Sequence, residues 1–441
     1  MRQGLSLVVM LSLVGSAAWA RGRGYEVWLV DQSNSFGKSY GGRILIYDGK
    51  KVARDGDDDC DGDDDEQAST APEAVIDLGA ATADLCFAKT GAYPVRPHMV
   101  VFNSTETHGA LSFVASGHVI FFDTRTRATL DCIRMQTGAG GARQAHAVWP
   151  TNDDRYMLVA NQNGKLFERI ATNYATNTFI YEPTASLNLA TCTTPNGFPC
   201  QDPVLRPDNA PICPFTASPG VPAFVTLRGG GMLLVNPYTT PISIVAEYDR
   251  ATIAGNGCGL IEARGWVYFN AGGATPSNLD QFSVYRLPRT GFLPSNPPNT
   301  PAVQLIYNDE AHHRDAHGVA VSKHERYVWM YDRGSNVAEV FDAHSGAHVN
   351  TVPLAHPATT DPSPDLAALS PNGKLHFVSL RGPNPLSGDP HSSTGALPGL
   401  GIVRLTQGGR WGSLDKVIPI TNRDAGGIER ADAHGIRIRR K

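Results

Sequence analysis

The 441-residue sequence has 38 Lys and Arg residues against 42 Asp and Glu residues, and its formal net charge is −4. A balance this close to neutral excludes the strongly basic surface with which proteins bind nucleic acids or anionic membranes. After the first twenty residues no apolar run approaches the roughly eighteen residues of a transmembrane helix, so we expect none there.

The sequence begins with the pattern of a secretory signal peptide. Arg2 precedes an apolar run over residues 5–14, and Ala18-Trp19-Ala20 has the form of a cleavage site. We therefore predict that residues 1–20 are removed and that the remainder, residues 21–441, is periplasmic or secreted.

An acidic segment, residues 55–66, follows the second predicted strand. Its Asp57, Asp59 and Asp61 alternate before Gly62, as in the first half of a calcium-binding loop. The glutamate that normally closes such a loop is replaced by Ala68, so Asp65 or Glu66 would have to supply the remaining ligand. Calcium binding is one interpretation, and a solvated loop of like charges is the other.

Short runs of alternating apolar residues continue along the whole chain, and three of them share one pattern. Copies begin at Ala145, Ala316 and Asp365, and each contains a strand, a polar turn and a second strand. A unit of about forty residues is typical of a four-stranded propeller blade. We predict an all-β fold, a single β-propeller of about seven four-stranded blades. Its inner strands are expected near His98, His146, Phe224, Ile261, His317, Leu366 and His434.

The two ends of the chain each contain part of a blade. The final segment, from Ala431, begins like an inner strand but has no second strand after it, whereas the first strands have no inner strand before them. Pairing the two ends would close the ring and remove its exposed edges. The last basic residues, from Arg437 to Lys441, are expected on a solvated strand face. The chain is expected to be a monomer, with a small molecule or a protein as its partner.

Seven cysteines are present, an odd number. Three of them, Cys192, Cys200 and Cys213, lie in a segment rich in Cys and Pro, residues 190–221, which we expect to be an insertion. A local disulfide between two of these three is the structural interpretation, and a metal site is the alternative. Cys60 lies within the acidic segment.

Four histidines open predicted inner strands: His98, His146, His317 and His434. In a ring they would meet at one mouth of the central channel, where imidazoles could bind copper or zinc. Asp315, Asp432 and Glu262 are candidates for carboxylates that orient these ligands. A histidine at such a position can also serve only as a hydrogen-bonding turn residue. Further candidates near the same mouth are Glu106, His108, His312, His313 and Asp365.

Two segments carry a resemblance to a known family: HGVAVSKHERYVWMYDRGSNVAEVFDAHSG from His317 and LAALSPNGKLHFVSLRG from Leu366. They resemble YVTN-type repeats of exported bacterial propellers, which are related to lactonase-like propellers and to the propeller half of nitrous oxide reductase. The resemblance implies a seven-bladed propeller. It also makes two activities conceivable, a copper-dependent oxidoreductase with blade-opening histidines as ligands, and a lactonase-type hydrolase.

Three hypotheses about function follow. The first is a propeller that binds a metal ion or a small ligand at its histidine mouth. The second is a non-enzymatic scaffold for protein partners. The third is a hydrolase in which Glu262, His317 and Arg143 would act together.

Overall fold

The structure, a computed structural model, describes residues 24–54, 69–217, 222–255, 257–272, 281–292, 300–310, 313–386 and 393–441. The predicted signal peptide and the acidic segment with Asp57, Asp59, Asp61 and Asp65 lie outside these ranges, as do Cys60 and His312. The predictions made for those residues therefore remain predictions.

Seven four-stranded antiparallel sheets form a ring, which confirms the predicted β-propeller. The first blade contains β1 (Tyr25–Asp31), β2 (Arg43–Asp48), β3 (Ala74–Asp77) and, as its inner strand, β29 (Ala433–Arg440). The second contains β4 (Pro97–Phe102), β5 (His108–Phe113), β6 (His118–Asp123) and β7 (Thr129–Arg134). The third contains β8 (Ala145–Pro150), β9 (Tyr156–Asn161), β10 (Leu166–Asn173) and β11 (Thr178–Tyr181), with the short β12 (Leu187–Asn188) paired to β10.

The remaining four blades are continuous in sequence. The fourth contains β13 (Pro211–Thr216), β14 (Ala223–Leu227), β15 (Met232–Asn236) and β16 (Ser243–Tyr248). The fifth contains β17 (Leu260–Ala263), β18 (Trp266–Gly272), β19 (Phe282–Pro288) and β20 (Gln304–Asp309). The sixth contains β21 (Ala316–Val321), β22 (Tyr327–Asp332), β23 (Val337–Asp342) and β24 (His348–Pro353). The seventh contains β25 (Pro364–Leu369), β26 (Leu375–Leu380), β27 (Gly399–Thr406) and β28 (Trp411–Pro419).

The ring closes through β29, which pairs antiparallel with β1, as predicted. Tyr25 lies opposite Arg440 and Trp28 lies opposite Arg437 in this ladder. Two helices complete the description, α1 (Gly49–Ala53) after β2 and α2 (Ala81–Thr90) before β4. Among the described residues, no helix has the length and apolar character needed to cross a membrane.

The polar turns of the sequence repeat have one structural role. In the third, sixth and seventh blades the hydroxyls of Thr151, Ser322 and Ser370 accept hydrogen bonds of 2.9–3.0 Å from backbone N–H groups five residues later. A hydroxyl that bonds nearby backbone in this way stabilises a turn. This explains why Ser or Thr recurs at the end of the inner strand.

The hydrophobic core lies between neighbouring blades, because each blade buries side chains on both of its faces. Between the first and second blades, the Trp28 ring stacks on Phe122 with a centroid separation of 5.4 Å. A ring of such interfaces holds the inner strands at fixed positions around the channel.

Three disulfides join described residues. Cys192–Cys200 is the predicted local disulfide. Cys86–Cys132 fastens α2 to β7, and Cys213–Cys258 joins β13 to the residue two before β17. Oxidised cysteines of this kind are typical of exported proteins.

One expected inner strand was wrong. Phe224 lies on β14, the second strand of its blade, and the inner strand is β13. β13 lies within residues 190–221. Its Pro211 and Pro214 made it hard to recognise as a strand from the sequence, because proline is normally rare within a strand. Part of the expected insertion is therefore a blade strand.

Candidate metal centre

A bulge at the start of the inner strands aims side chains at the channel. In the first, second, third, fourth, sixth and seventh blades, the pairing of the inner strand shifts register around its second and third residues. A β-bulge re-aims the side chain that it carries. In ring order, the second residues of these strands are His434, His98, His146, Ile212, His317 and Asp365. All six are buried.

The backbone of these residues is held by the neighbouring blade. The Ser112 hydroxyl donates to the His146 carbonyl at 3.0 Å, and the Ser379 hydroxyl donates to the His434 carbonyl at 2.6 Å. The Asn270 amide donates to the His317 carbonyl at 2.8 Å. These bonds position the imidazoles in advance of any ligand, as a binding site requires.

The glycine that follows two of the histidines is required by close packing. A Cβ on Gly318 would lie 1.9 Å from the Asp365 carbonyl oxygen, and one on Gly435 would lie 2.4 Å from the His98 carbonyl oxygen. The repeated His-Gly pair therefore combines a channel-facing imidazole with a backbone that lets the next inner strand approach.

His317, Asp365 and His434 come together as a compact set of three. The two Nε2 atoms of the histidines are 3.3 Å apart. Asp365 Oδ1 lies 3.2 Å from His317 Nε2, and Asp365 Oδ2 lies 3.7 Å from His434 Nε2. Ligands at about 2.0–2.1 Å from a tetrahedral ion are about 3.3–3.4 Å from one another. Two of the three spacings match that value, so these three side chains could hold a metal ion.

His98 and His146 extend this set along the channel wall. The His98 ring stacks on His434 with a centroid separation of 3.7 Å and lies 4.6 Å from the His146 ring. Histidines and Asp365 therefore occupy five adjacent blades, the sixth, seventh, first, second and third. The fourth blade has Ile212 at the equivalent position, next to the Cys213–Cys258 disulfide.

Hydrogen bonds determine the tautomers of His98 and His146. The Gln32 Nε2 atom donates to the Asp432 carboxylate, so Gln32 Oε1 accepts from His98 Nδ1 at 3.0 Å. The Ile212 carbonyl accepts from His146 Nδ1, also at 3.0 Å. Each Nε2 atom consequently carries the lone pair that could coordinate a metal ion.

Several polar atoms at this end are buried without a hydrogen-bond partner. Within the described ranges they include His98 Nε2, Asp365 Oδ1 and His434 Nδ1. Buried polar groups are nearly always satisfied, so three such atoms on adjoining residues indicate a ligand or ordered water.

Two arginines hold the carboxylates around the set of three. Arg381 donates to Asp365 Oδ2 at 3.0 Å and makes two bonds to Asp432, at 2.6 and 2.8 Å. Arg333 binds both oxygens of Asp315 at 2.9 Å and lies 3.5 Å from Asp365 Oδ2. Three carboxylates face two guanidinium groups, which leaves this network with an excess of negative charge that suits a cation.

Burial controls the charge of the site. It lowers the pKa of His98, His317 and His434 well below the ordinary 6.5, and the nearby arginines lower it further, so these rings are neutral near pH 7. Burial also raises the pKa of Asp365 to about 6, against the opposing effect of Arg333 and Arg381. Neutral imidazoles are the form that coordinates metals.

The three predicted orienting carboxylates have different partners. Asp432 acts on His98 through Gln32, so it orients a histidine of the neighbouring blade instead of its own. Asp315 binds Arg333 and the Ser393 backbone N–H. Glu262 forms an ion pair with Arg289. The carboxylate that contacts the imidazoles is Asp365.

The other candidates are not joined to this centre by the described contacts. Glu106 lies in the turn that follows β4, at the end of that strand opposite to His98, and accepts from the Arg440 backbone N–H. His108 is bonded to Asn177 at 2.8 Å. His313 precedes β21 by three residues, and its carbonyl accepts from the Ser335 hydroxyl. The Arg143 guanidinium donates to the Met135 carbonyl.

Gln32, Arg333 and Arg381 were missed by the sequence interpretation. Asp365 occupies the place of His317 in the repeat, so the repeat itself contained a signal for it. The arginines each follow a second strand, as RG in YDRGS and SLRGP. This shared position was the available signal for them.

Comparisons with known proteins support the fold. No family model matches the chain, and no curated protein matches its sequence, so the resemblance to YVTN-type repeats remains a prediction. Solved structures with the same fold include a hypothetical selenium-binding protein from Sulfolobus tokodaii, with a TM-score of 0.61, 8% identity and coverage of 95% of this chain and 94% of that chain.

Two lactonase-like propellers are also similar. The periplasmic gluconolactonase of Pseudomonas aeruginosa has a TM-score of 0.54 and 13% identity, covering 94% of this chain and 99% of that chain. A putative 6-phosphogluconolactonase from Bacteroides fragilis has a TM-score of 0.55 and 11% identity, covering 94% and 98%. At these identities the likeness establishes the propeller fold alone.

Proposed function

We propose that this protein is an exported propeller that binds one copper or zinc ion at the histidine end of its channel. The ligands in this proposal are His317 Nε2, His434 Nε2 and Asp365 Oδ1. The observation that carries it is the close approach of these groups in a buried site with unsatisfied polar atoms: His317 Nε2 lies 3.3 Å from His434 Nε2 and 3.2 Å from Asp365 Oδ1.

The donor set determines which metals suit the site. Imidazole nitrogen and carboxylate oxygen favour zinc or copper over calcium or magnesium, which prefer oxygen ligands. His98 presents an Nε2 lone pair beside His434 and is the natural fourth ligand or the residue that faces a bound substrate. Three protein ligands with a further position open is the arrangement of catalytic zinc sites.

The arginines position Asp365 for this role. Arg381 and Arg333 engage Asp365 Oδ2, so Oδ1 stays available to an ion. Such outer contacts fix the direction of a carboxylate ligand and lower its charge. A bound ion would act as a Lewis acid or a redox centre for a small substrate in the channel.

The described contacts do not support the hydrolase hypothesis. Glu262 is engaged by Arg289 and Arg143 by the Met135 carbonyl, whereas His317 contacts Asp365 and His434. The carboxylate, histidine and arginine of that hypothesis are therefore not joined. A scaffold role stands as the alternative if no metal binds.

Elemental analysis of protein prepared without chelator tests the proposal. We expect about one equivalent of copper or zinc in the parent, and less than a tenth of that in Asp365→Asn and in a His317→Ala/His434→Ala double variant. His348→Gln serves as the matched control, because His348 bonds Glu339 on the β23–β24 pair away from the channel. Circular dichroism confirms that each variant is folded.

Two outcomes contradict the proposal. One is equal metal content in the parent and in the folded double variant. The other is a parent that neither contains copper or zinc nor takes up either ion when it is titrated.

A further inference from the structure

A second feature of the channel is a cavity with a single charged group in its wall. The cavity has a volume of about 340 Å³ and begins beside the proposed metal centre, since its wall includes the residues after His98 and Asp365. Its remaining wall is almost entirely apolar, with Phe215, Trp149 and Leu366 among the large side chains. Arg437 is the one charged residue among the described residues that line it.

Arg437 has no acidic partner among the described residues. Its neighbour on the same strand, Arg439, is paired with Glu26 at 3.1 Å, and Arg381 and Arg333 are paired as described above. Arg437 instead lies over the Trp149 ring, with its guanidinium carbon 4.8 Å from the ring centroid. Burial lowers the pKa of Arg437 to about 10, and no nearby carboxylate offsets that effect.

This position corrects the expectation that the last basic residues form a solvated strand face. Arg439 and Lys441 do reach acidic groups, Glu26 and Asp48, near the outer side of the blade. Arg437 lies deeper on β29 and contacts the third blade. Arg437 is half-buried, and a cation that has lost part of its water without gaining a counter-ion stays available to an anionic ligand.

The residues around Arg437 indicate the chemistry of the ligand. A guanidinium binds a carboxylate through two parallel hydrogen bonds, and its flat face is already packed on Trp149. The apolar walls would leave an inorganic anion poorly matched, whereas an aliphatic or aromatic body would fill them. At about 3.3 Å per residue, Arg437 lies roughly 10 Å along β29 from His434.

The guanidinium can also be approached from the surface. A second cavity of about 360 Å³ is lined by Asn103, Ser104 and Asp154 and shares Trp149 and Arg437 with the channel cavity. Arg437 and Trp149 therefore stand between this outer cavity and the channel.

We propose that Arg437 and Trp149 bind the carboxylate end of a small organic anion whose apolar body lies in the channel cavity. This site is independent of the metal ion, although both open into the same channel. An anion seated here would point its apolar end toward the histidines.

Titration calorimetry with benzoate and hexanoate, each compared with its neutral amide, tests the proposal. We expect at least one carboxylate to bind and its amide to bind at least tenfold more weakly. Arg437→Gln should weaken carboxylate binding at least tenfold, and Arg437→Lys should restore part of it. Arg439→Gln, on the same strand, is the matched control and should bind like the parent.

The metal-free His317→Ala/His434→Ala variant distinguishes the two proposals. We expect it to bind the carboxylate within a few-fold of the parent. Loss of binding in that folded variant, with Arg437→Gln unaffected, would assign the anion to the metal and overturn this inference. Equal binding of acid and amide, or no binding of either carboxylate at about 1 mM, would also overturn it.

Discussion

Replacement of Glu168 by glutamine should change how the stability of the protein depends on pH. Glu168 lies on β10 and is fully buried. Its carboxylate accepts from Asn161 Nδ2 at 2.8 Å and from the Tyr181 hydroxyl. Burial is the largest influence and raises the pKa of Glu168 from 4.5 to about 7, although both hydrogen bonds act in the opposite direction.

The sign follows from proton binding. Below pH 4.5 the Glu168 carboxyl is protonated in both the folded and the unfolded state, so it does not change the free energy of unfolding with pH. As the pH rises from 4.5 to about 7, the unfolded state releases its proton first, and the folded state is progressively disfavoured. Each pH unit in this interval costs about 1.4 kcal/mol. The free energy of unfolding therefore falls by about 3 kcal/mol in total and does not change further at higher pH.

Glu168→Gln is uncharged throughout, so its stability relative to the parent should increase by about 3 kcal/mol between pH 4.5 and pH 8. Urea unfolding followed by circular dichroism at several pH values measures this difference. Glu73→Gln removes the same charge from a residue whose partner is Lys441 near the surface and serves as the control. A parent-to-variant difference that stays constant with pH would refute the reasoning.

Two further substitutions test how the site is built. Gln32→Leu removes the hydrogen bond that sets the His98 tautomer. We expect the fold to be retained and the metal affinity to fall roughly 10- to 100-fold in a competition titration against a chelator. Unchanged affinity would exclude His98 from the centre. Gly318→Ala places a Cβ 1.9 Å from the Asp365 carbonyl oxygen and should lower the free energy of unfolding by about 1–3 kcal/mol or more in thermal melts. Gly426→Ala meets only the Asp424 side chain, at 3.3 Å, and should change the melt far less, so equal effects would contradict the close-packing argument.

The repeat made the fold predictable. Its Ser or Thr turns and alternating strands correspond to real hydrogen bonds and real blades, as Thr151, Ser322 and Ser370 demonstrate. The prediction failed at the fourth blade because Pro211 and Pro214 remove the usual strand pattern from β13. The convergence of His98, His146, His317 and His434 followed from their shared place in the repeat, and the structure brings them together.

The partners of these histidines were much harder to predict. Gln32 and Asp432 are separated by 400 residues, and nothing local in the sequence relates them. Asp315 precedes its histidine by two residues, yet its carboxylate binds Arg333 instead of the imidazole. Side-chain direction at a bulge depends on the register of pairing, which strand patterns alone do not determine.

Pairing of β29 with β1 makes the centre dependent on a contact between residues about 400 positions apart in the sequence. β29 supplies His434 and Arg437, and Asp432 immediately precedes it, so none of these groups is in place until the ring has closed. A partly folded chain can then hold neither the metal ion nor the anion in the proposed way. Each ligand would bind only the closed ring. Ligand binding would therefore stabilise the β29–β1 pairing and slow its opening.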